Sequence, residues 1–260
     1  MKIASAAATT YFALAYASTA HGADAVERKL VLGGEVVPAG TKTYNVGVRT
    51  TKAGSNACGG ALISPTHVLT ASHCSSNYDI RWVSVGSHYI NGSSDGEQIK
   101  VASIMNHPEY ESGLFPNDFL ILELQKPSSF TPVKIAAADD SDFAVGKAAT
   151  IFGWGHTSNN GSVSYELRGV DVPLWDDDNC SKVMDADASM VCAGGVANKD
   201  ACERDSGGPL VVESGSQDVV VGVSSWGPSP CGTEGAPGVY SRVSHARAWI
   251  DSVVNGTCFA

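Results

Sequence analysis

The sequence predicts an all-β chain closed by one helix, and three observations carry that expectation. Short apolar runs recur along the chain, bounded by Gly, Ser, Asn and Pro clusters, which is how short strands and their turns read. Gly is frequent, with 28 in 260 residues, while helical periodicity is scarce. Only near the C-terminus do apolar residues share a helical face: Trp249, Ile250 and Val253, with Ser244 as the expected cap. That face reads as docking on the core.

Taken in order, residues 1–20 read as a signal peptide. Lys2 is a minimal basic start, Phe12 to Ala17 an apolar stretch, and Ser18-Thr19-Ala20 a small-x-small cleavage site. The apolar run is too short for a membrane anchor. Residues 21–30 read as a propeptide containing the basic pair Arg28-Lys29. The mature domain is expected over 31–254, with a short tail at 255–260.

Within the domain, strands are expected at Tyr44–Val48, Gly60–Ile63, Val68–Thr70, Arg81–Val85, Phe119–Leu124, Pro209–Val212 and Val219–Val223. Residues 127–142 have little strand character and read as a linker between two halves. His67, His88, His107 and His245 read as surface or loop residues.

The net charge of −10 argues against nucleic acid, whose phosphates need basic patches. Such a surface suits solubility and steers basic substrates inward; with the signal peptide and no later segment long enough to span a bilayer, the expectation is a secreted monomer without membrane association. The seven cysteines are Cys58, Cys74, Cys180, Cys192, Cys202, Cys231 and Cys258. In a secreted chain they read as disulfides, whose connectivity the spacing leaves open. No Cys-x-x-Cys or paired Cys/His spacing supports a metal site. Asn91, Asn160 and Asn255 each begin an Asn-x-Ser/Thr glycosylation tripeptide.

The chemistry centres on Asp200-Ala201-Cys202-Glu203-Arg204-Asp205-Ser206-Gly207-Gly208-Pro209. A serine hydroxyl is a weak nucleophile unless a base and an orienting partner stand beside it. Upstream, Thr70-Ala71-Ser72-His73-Cys74 offers a base and Asn117-Asp118 a carboxylate. With Cys58-Gly59-Gly60, Gly153-Trp154-Gly155, Ser225-Trp226-Gly227 and Pro237-Gly238-Val239-Tyr240, this set resembles the trypsin-like, chymotrypsin-fold serine proteases over about Val31 to Val254.

The resemblance implies two six-stranded antiparallel Greek-key barrels with the site in the cleft between them. It implies Ser206 as nucleophile, His73 as base and Asp118 as the residue orienting it. The oxyanion hole would use the N–H groups of Ser206 and Arg204, with Arg204 standing where the family has Gly. Asp200, Ser225, Trp226, Gly227 and Gly238 would form a pocket selecting substrate Arg or Lys. Val31 would supply a new α-ammonium for Asp205 after cleavage, although Leu30 separates it from Lys29. The implied disulfides are Cys58–Cys74, Cys180–Cys192 and Cys202–Cys231, leaving Cys258 over. No cofactor is implied beyond the family's calcium loop, here Gly86–Glu97. That loop has Ser87 where trypsins carry an acidic ligand, while Asp95 and Glu97 remain.

The expected function is a secreted endopeptidase acting on protein or peptide substrates after Arg or Lys. A rival follows from Leu30–Gly34 and Val37–Tyr44. These stretches resemble secreted trypsin-like proteins of oomycetes, a group that includes glucanase inhibitor proteins with incomplete triads. On that reading the partners are secreted plant endoglucanases. Protein protease inhibitors are the expected partners of an active cleft.

Overall fold

The computed structural model describes residues 32–257 except Ser93, Asn160 and Ser216. The expected signal peptide and propeptide, Leu30, Val31, Asn160 and Cys258 lie outside the described residues. No helix among the described residues is long and apolar enough to cross a membrane.

The first half opens with β1 (Glu35–Val36), which pairs with a strand of the second half. Then come β2 (Asn45–Arg49), β3 (Cys58–Ser64), β4 (His67–Thr70), α1 (Ser72–Asn77), β5 (Trp82–Val85), β6 (Glu97–Asn106) and β7 (Leu120–Leu124). Six of these strands close a barrel in the order β2-β3-β4-β7-β6-β5. Val46, Val48, Leu62, Val68, Leu69, Val83, Ile99 and Leu120 to Leu122 on these strands are all buried. These are the branched side chains that a pleated, inward-facing surface accepts.

The second half holds β8 (Lys134–Ile135), β9 (Ala148–Gly153), β10 (Arg168–Pro173), α2 (Asp177–Val183), β11 (Met190–Gly194), β12 (Pro209–Ser214), β13 (Gln217–Trp226) and β14 (Pro237–Arg242). Its path is β1-β10-β9-β12-β13-β14-β11, with β8 pairing in parallel on β13. A bridge between Leu174 and Ala193 brings the end of β10 against β11. The six longer strands, β10-β9-β12-β13-β14-β11, match the expected second barrel, and the whole sheet has eight members. The extra members are two-residue strands, β1 from the start of the domain and β8 from the 127–142 stretch.

The final helix, α3 (Val243–Val254), buries Trp249 and Ile250 as expected. Its cap is a correction: Arg242 is the N-cap residue and makes no side-chain cap bond. Ser244 lies inside the first turn, and its Oγ donates to Asp140 Oδ1 at 2.5 Å. His88 and His107 lie in loops, one of the two expected placements, but both are buried. His107 packs edge-on to Trp249 at 4.8 Å, which covers an imidazole that a sequence can only show as polar.

Candidate active site

His73 is the second residue of α1, directly after β4. The helix starts at Ala71, which offers no capping side chain. Asp118 fills that role from just before the neighbouring strand β7: its Oδ1 accepts the His73 backbone N–H at 2.9 Å. Its Oδ2 accepts from His73 Nδ1 at 2.7 Å and from Ser225 Oγ at 2.6 Å. Asp118 is fully buried, so its charge is held by these donors rather than by water. Asn117 takes φ +50° immediately before it, a left-handed conformation that Asn tolerates. With Nδ1–H fixed on a carboxylate, the neutral imidazole keeps its lone pair on Nε2.

Ser206 comes from the loop before β12. Its carbonyl accepts from Gly59 N at 2.8 Å, and Cys74 Sγ lies 3.9 Å from both that carbonyl and His73 Nε2. Among the described residues no hydrogen bond joins Ser206 Oγ to His73 Nε2, a contact that is often long before substrate arrives. Two glycines make the approach feasible. A Cβ on Gly207, at φ +78°, would sit 2.2 Å from Thr70 Oγ1, and one on Gly59 would sit 2.8 Å from the Gly208 Cα. The Cys58–Cys74 disulfide ties β3 to the histidine helix beside this contact.

Arg204 is exposed and holds φ +75°. It is a side chain placed where the backbone favours glycine. Asp205 is buried beneath it. Its oxygens accept from Gly155 N at 2.7 Å and Cys202 N at 3.0 Å. Any Cβ on Gly153 or Gly155 would strike that carboxylate. Burial pushes Asp205 up to about 7.

Asp200 closes a pocket of about 240 Å³ lined also by Ser206, Ser225, Trp226, Gly227 and Gly238. Its Oδ2 accepts from Gly232 N at 3.0 Å, and burial raises the group to about 6. Its Oδ1 has no partner among the described residues, nor do Tyr240 Oη and Trp226 Nε1. All three belong to pocket residues, and buried polar atoms without partners are rare enough to point to a ligand or water. Gly238 keeps the pocket open, because a Cβ there would sit 2.9 Å from Asp200 Oδ1. The Cys202–Cys231 bridge joins the pocket walls, and Cys180–Cys192 links α2 to β11. Leu32 is buried below, its carbonyl accepting from Asp200 N at 3.2 Å.

A family profile described as Trypsin matches residues 31–250. The chain belongs to the trypsin family. Within it, this trypsin-family chain is similar to glucanase inhibitor protein 3 of Phytophthora infestans, at 51% identity over 98% of the chain and 100% of that protein. It is similar to glucanase inhibitor protein 2 of Phytophthora sojae at 48%, over 98% of the chain and 89% of that protein. Similarity to a trypsin of Saccharopolyspora erythraea is 37%, over 82% of the chain and 93% of that protein.

The structure joins His73 to Asp118 and sets the Ser206 backbone near them, while Ser206 lines one pocket with Asp200, Ser225, Trp226, Gly227 and Gly238. The three implied disulfides are all formed. The grouping of Cys58, His73 and Cys74 is no metal site, since both sulfurs are in one disulfide. Asn255 is exposed beyond α3. Asn91 is half-buried, with Nδ2 3.4 Å from Tyr165 Oη. Sequence reasoning missed Ser241, whose Oγ donates to the Asp118 carbonyl at 3.2 Å. It also missed Phe115, whose ring meets His73 edge-on at 5.9 Å. The Pro237–Tyr240 motif adjoins Ser241 and could have flagged it; nothing local marks Phe115.

Proposed function

We propose that this chain binds and inhibits a secreted plant endoglucanase, using the protease fold as a recognition scaffold. The carrying observation is the 51% and 48% identity to proteins named glucanase inhibitors over nearly the whole chain, against 37% to a trypsin. Three disulfides fit a protein made for an oxidising compartment, consistent with secretion to where such enzymes act. The test adds purified protein to a panel of secreted plant endo-β-glucanases and follows substrate hydrolysis. Inhibition at stoichiometric protein, unchanged in Ser206→Ala, is expected. A panel left fully active rejects this reading.

A second reading is favoured by the site itself: serine endopeptidase activity after Arg or Lys. The observation is the His73–Asp118 pair beside a pocket ending in an unpartnered Asp200 oxygen. Here Ser206 Oγ attacks the scissile carbonyl as His73 Nε2 takes its proton. His73 then returns the proton to the leaving amine, and Asp118 stabilises the imidazolium between these steps. Water repeats the sequence on the acyl-enzyme and frees Ser206. Turnover of an arginyl ester that vanishes in Ser206→Ala supports this reading. No turnover by folded, processed protein rejects it without touching the first.

A further inference from the structure

The first barrel buries a whole guanidinium. Arg49, the last residue of β2, has 0% exposure. Its Nε donates to Asn56 Oδ1 at 2.9 Å, Nη1 to the Asn91 carbonyl at 2.6 Å, and Nη2 to the Ile90 carbonyl at 2.9 Å. The two carbonyls are successive members of the Gly86–Glu97 loop. A planar fork can hold two neighbouring acceptors in fixed geometry, which an ammonium cannot.

Two glycines make room for it. A Cβ on Gly92, at φ +49°, would lie 2.3 Å from Arg49 Nη2. One on Gly47 would lie 2.0 Å from Asn56 Oδ1, the acceptor that orients the guanidinium. Burial lowers Arg49 to about 10, with nearby Asp95 opposing the fall, so the group stays protonated at neutral pH.

Many of the loop's other described oxygens are already engaged. Asp95 accepts from Ser87 Oγ and His88 N, both at 2.6 Å. Glu97 accepts from Ser128 Oγ and Ser129 Oγ, both at 2.6 Å. The Tyr89 carbonyl accepts from Gly92 N, and the Gly92 carbonyl from Gln98 Nε2. The His88 carbonyl accepts from Leu167 N at 2.7 Å and Trp154 Nε1 at 3.0 Å. Calcium needs about six to eight oxygen ligands at about 2.3–2.6 Å. These donors would have to be stripped away to supply them, next to a fixed positive charge.

We propose that Arg49 is the resident cation of the 86–97 loop, and that this loop takes no calcium. The bonds it secures reach beyond the first barrel. Ile90 N donates to the Tyr165 carbonyl at 2.9 Å, and with the His88 contacts this fastens the loop to the second half. Trp154 adjoins Gly155, the donor to Asp205. Arg49 therefore anchors a clamp between the halves that ends beside Asp205.

The test uses the secreted protein, its Arg49→Met and Arg49→Lys variants, thermal unfolding, calorimetric titration with CaCl₂ and limited proteolysis by chymotrypsin. For wild type, Tm should agree within about 1 °C in EDTA and in millimolar CaCl₂, with no heat of binding. Arg49→Met should lose at least about 6 °C and be cut after Tyr89, and calcium should restore neither. Arg49→Lys keeps the charge without the fork and should fall between. A calcium-dependent rise of several degrees in wild type overturns the proposal. So does an Arg49→Met protein that matches wild type in Tm and resists cleavage. If neither variant folds, the wild-type calcium titration still decides.

Discussion

The Asp118 carboxylate grips His73 twice, through the ring Nδ1 at 2.7 Å and through the backbone N–H at 2.9 Å. One group thus starts a helix and sets an imidazole's tautomer. Asp118→Asn keeps the volume but replaces an acceptor oxygen with a donor. Where the protein is an active endopeptidase, arginyl-ester turnover should fall by about 10⁴-fold, while endoglucanase inhibition should not change. Turnover within tenfold of wild type would reject the assigned role of Asp118.

Asp205 gives a pH signature. Its carboxyl titrates near its ordinary 3.8 when unfolded and is pushed to about 7 by burial. Between those values the folded chain holds a proton that the unfolded chain has released. Stability from this group therefore falls as pH rises from about 4 through about 7. Tm measured across that range should decline more steeply for the chain than for Asp205→Asn. Parallel curves would show that Asp205 is not the source. A chain processed to a free α-ammonium that reaches Asp205 should lose the decline, because a cation lowers the pKa of its partner.

How much of this could be read beforehand depended on whether the signal was local. Ser206, His73 and Asp118 each sit in a short motif, and the structure joins His73 to Asp118 with the Ser206 backbone close by. Strands such as β4 and β7 were legible because they are apolar runs. β6 was not: its burial alternates along Glu97–Asn106, and Lys100 and Asn106 face solvent, so no apolar run marks it. The Ser244 cap failed because Asp140, distant in sequence, claims that hydroxyl. Arg49 was invisible for a related reason. A charged residue at a strand end reads as solvated unless the carbonyls that replace water are known, and those belong to a loop some forty residues away.

Asp200 predicts a pH-dependent ligand. Its free state is raised to about 6 by burial, and a cation entering the pocket binds the ionised form. Affinity for an aryl amidine should be flat above about pH 7 and weaken about tenfold per unit well below pH 6. Asp200→Ser should remove both the affinity and its pH dependence while Ser206 stays reactive to a phosphonate. Titration by fluorescence displacement at several pH values measures this. An amidine that binds Asp200→Ser as tightly as the wild-type chain would reject the pocket assignment.

Arg204 separates two consequences of replacing a glycine at the mouth of the site. A damaged oxyanion hole would follow if the side chain forced the backbone out of the left-handed region. It does not: φ remains +75°, the half of the map that glycine would use, at a cost of about 1–3 kcal/mol. The N–H is therefore still available in a glycine-like conformation, and what changes is the space above it, now occupied by an exposed guanidinium. A rigid inhibitor loop spanning the scissile position must displace that side chain, whereas a flexible peptide can bend around it. Arg204→Gly should tighten a Kunitz-type inhibitor by at least about tenfold, or roughly 1.4 kcal/mol, with kcat for short arginyl peptides changed by less than about threefold. It should also raise Tm slightly as the strain is released. Inhibitor Ki and peptide kcat measured on the same two proteins decide the matter, since an unchanged Ki with a gain of about 10²-fold in kcat would mean that the hole, and not the space above it, was what Arg204 altered.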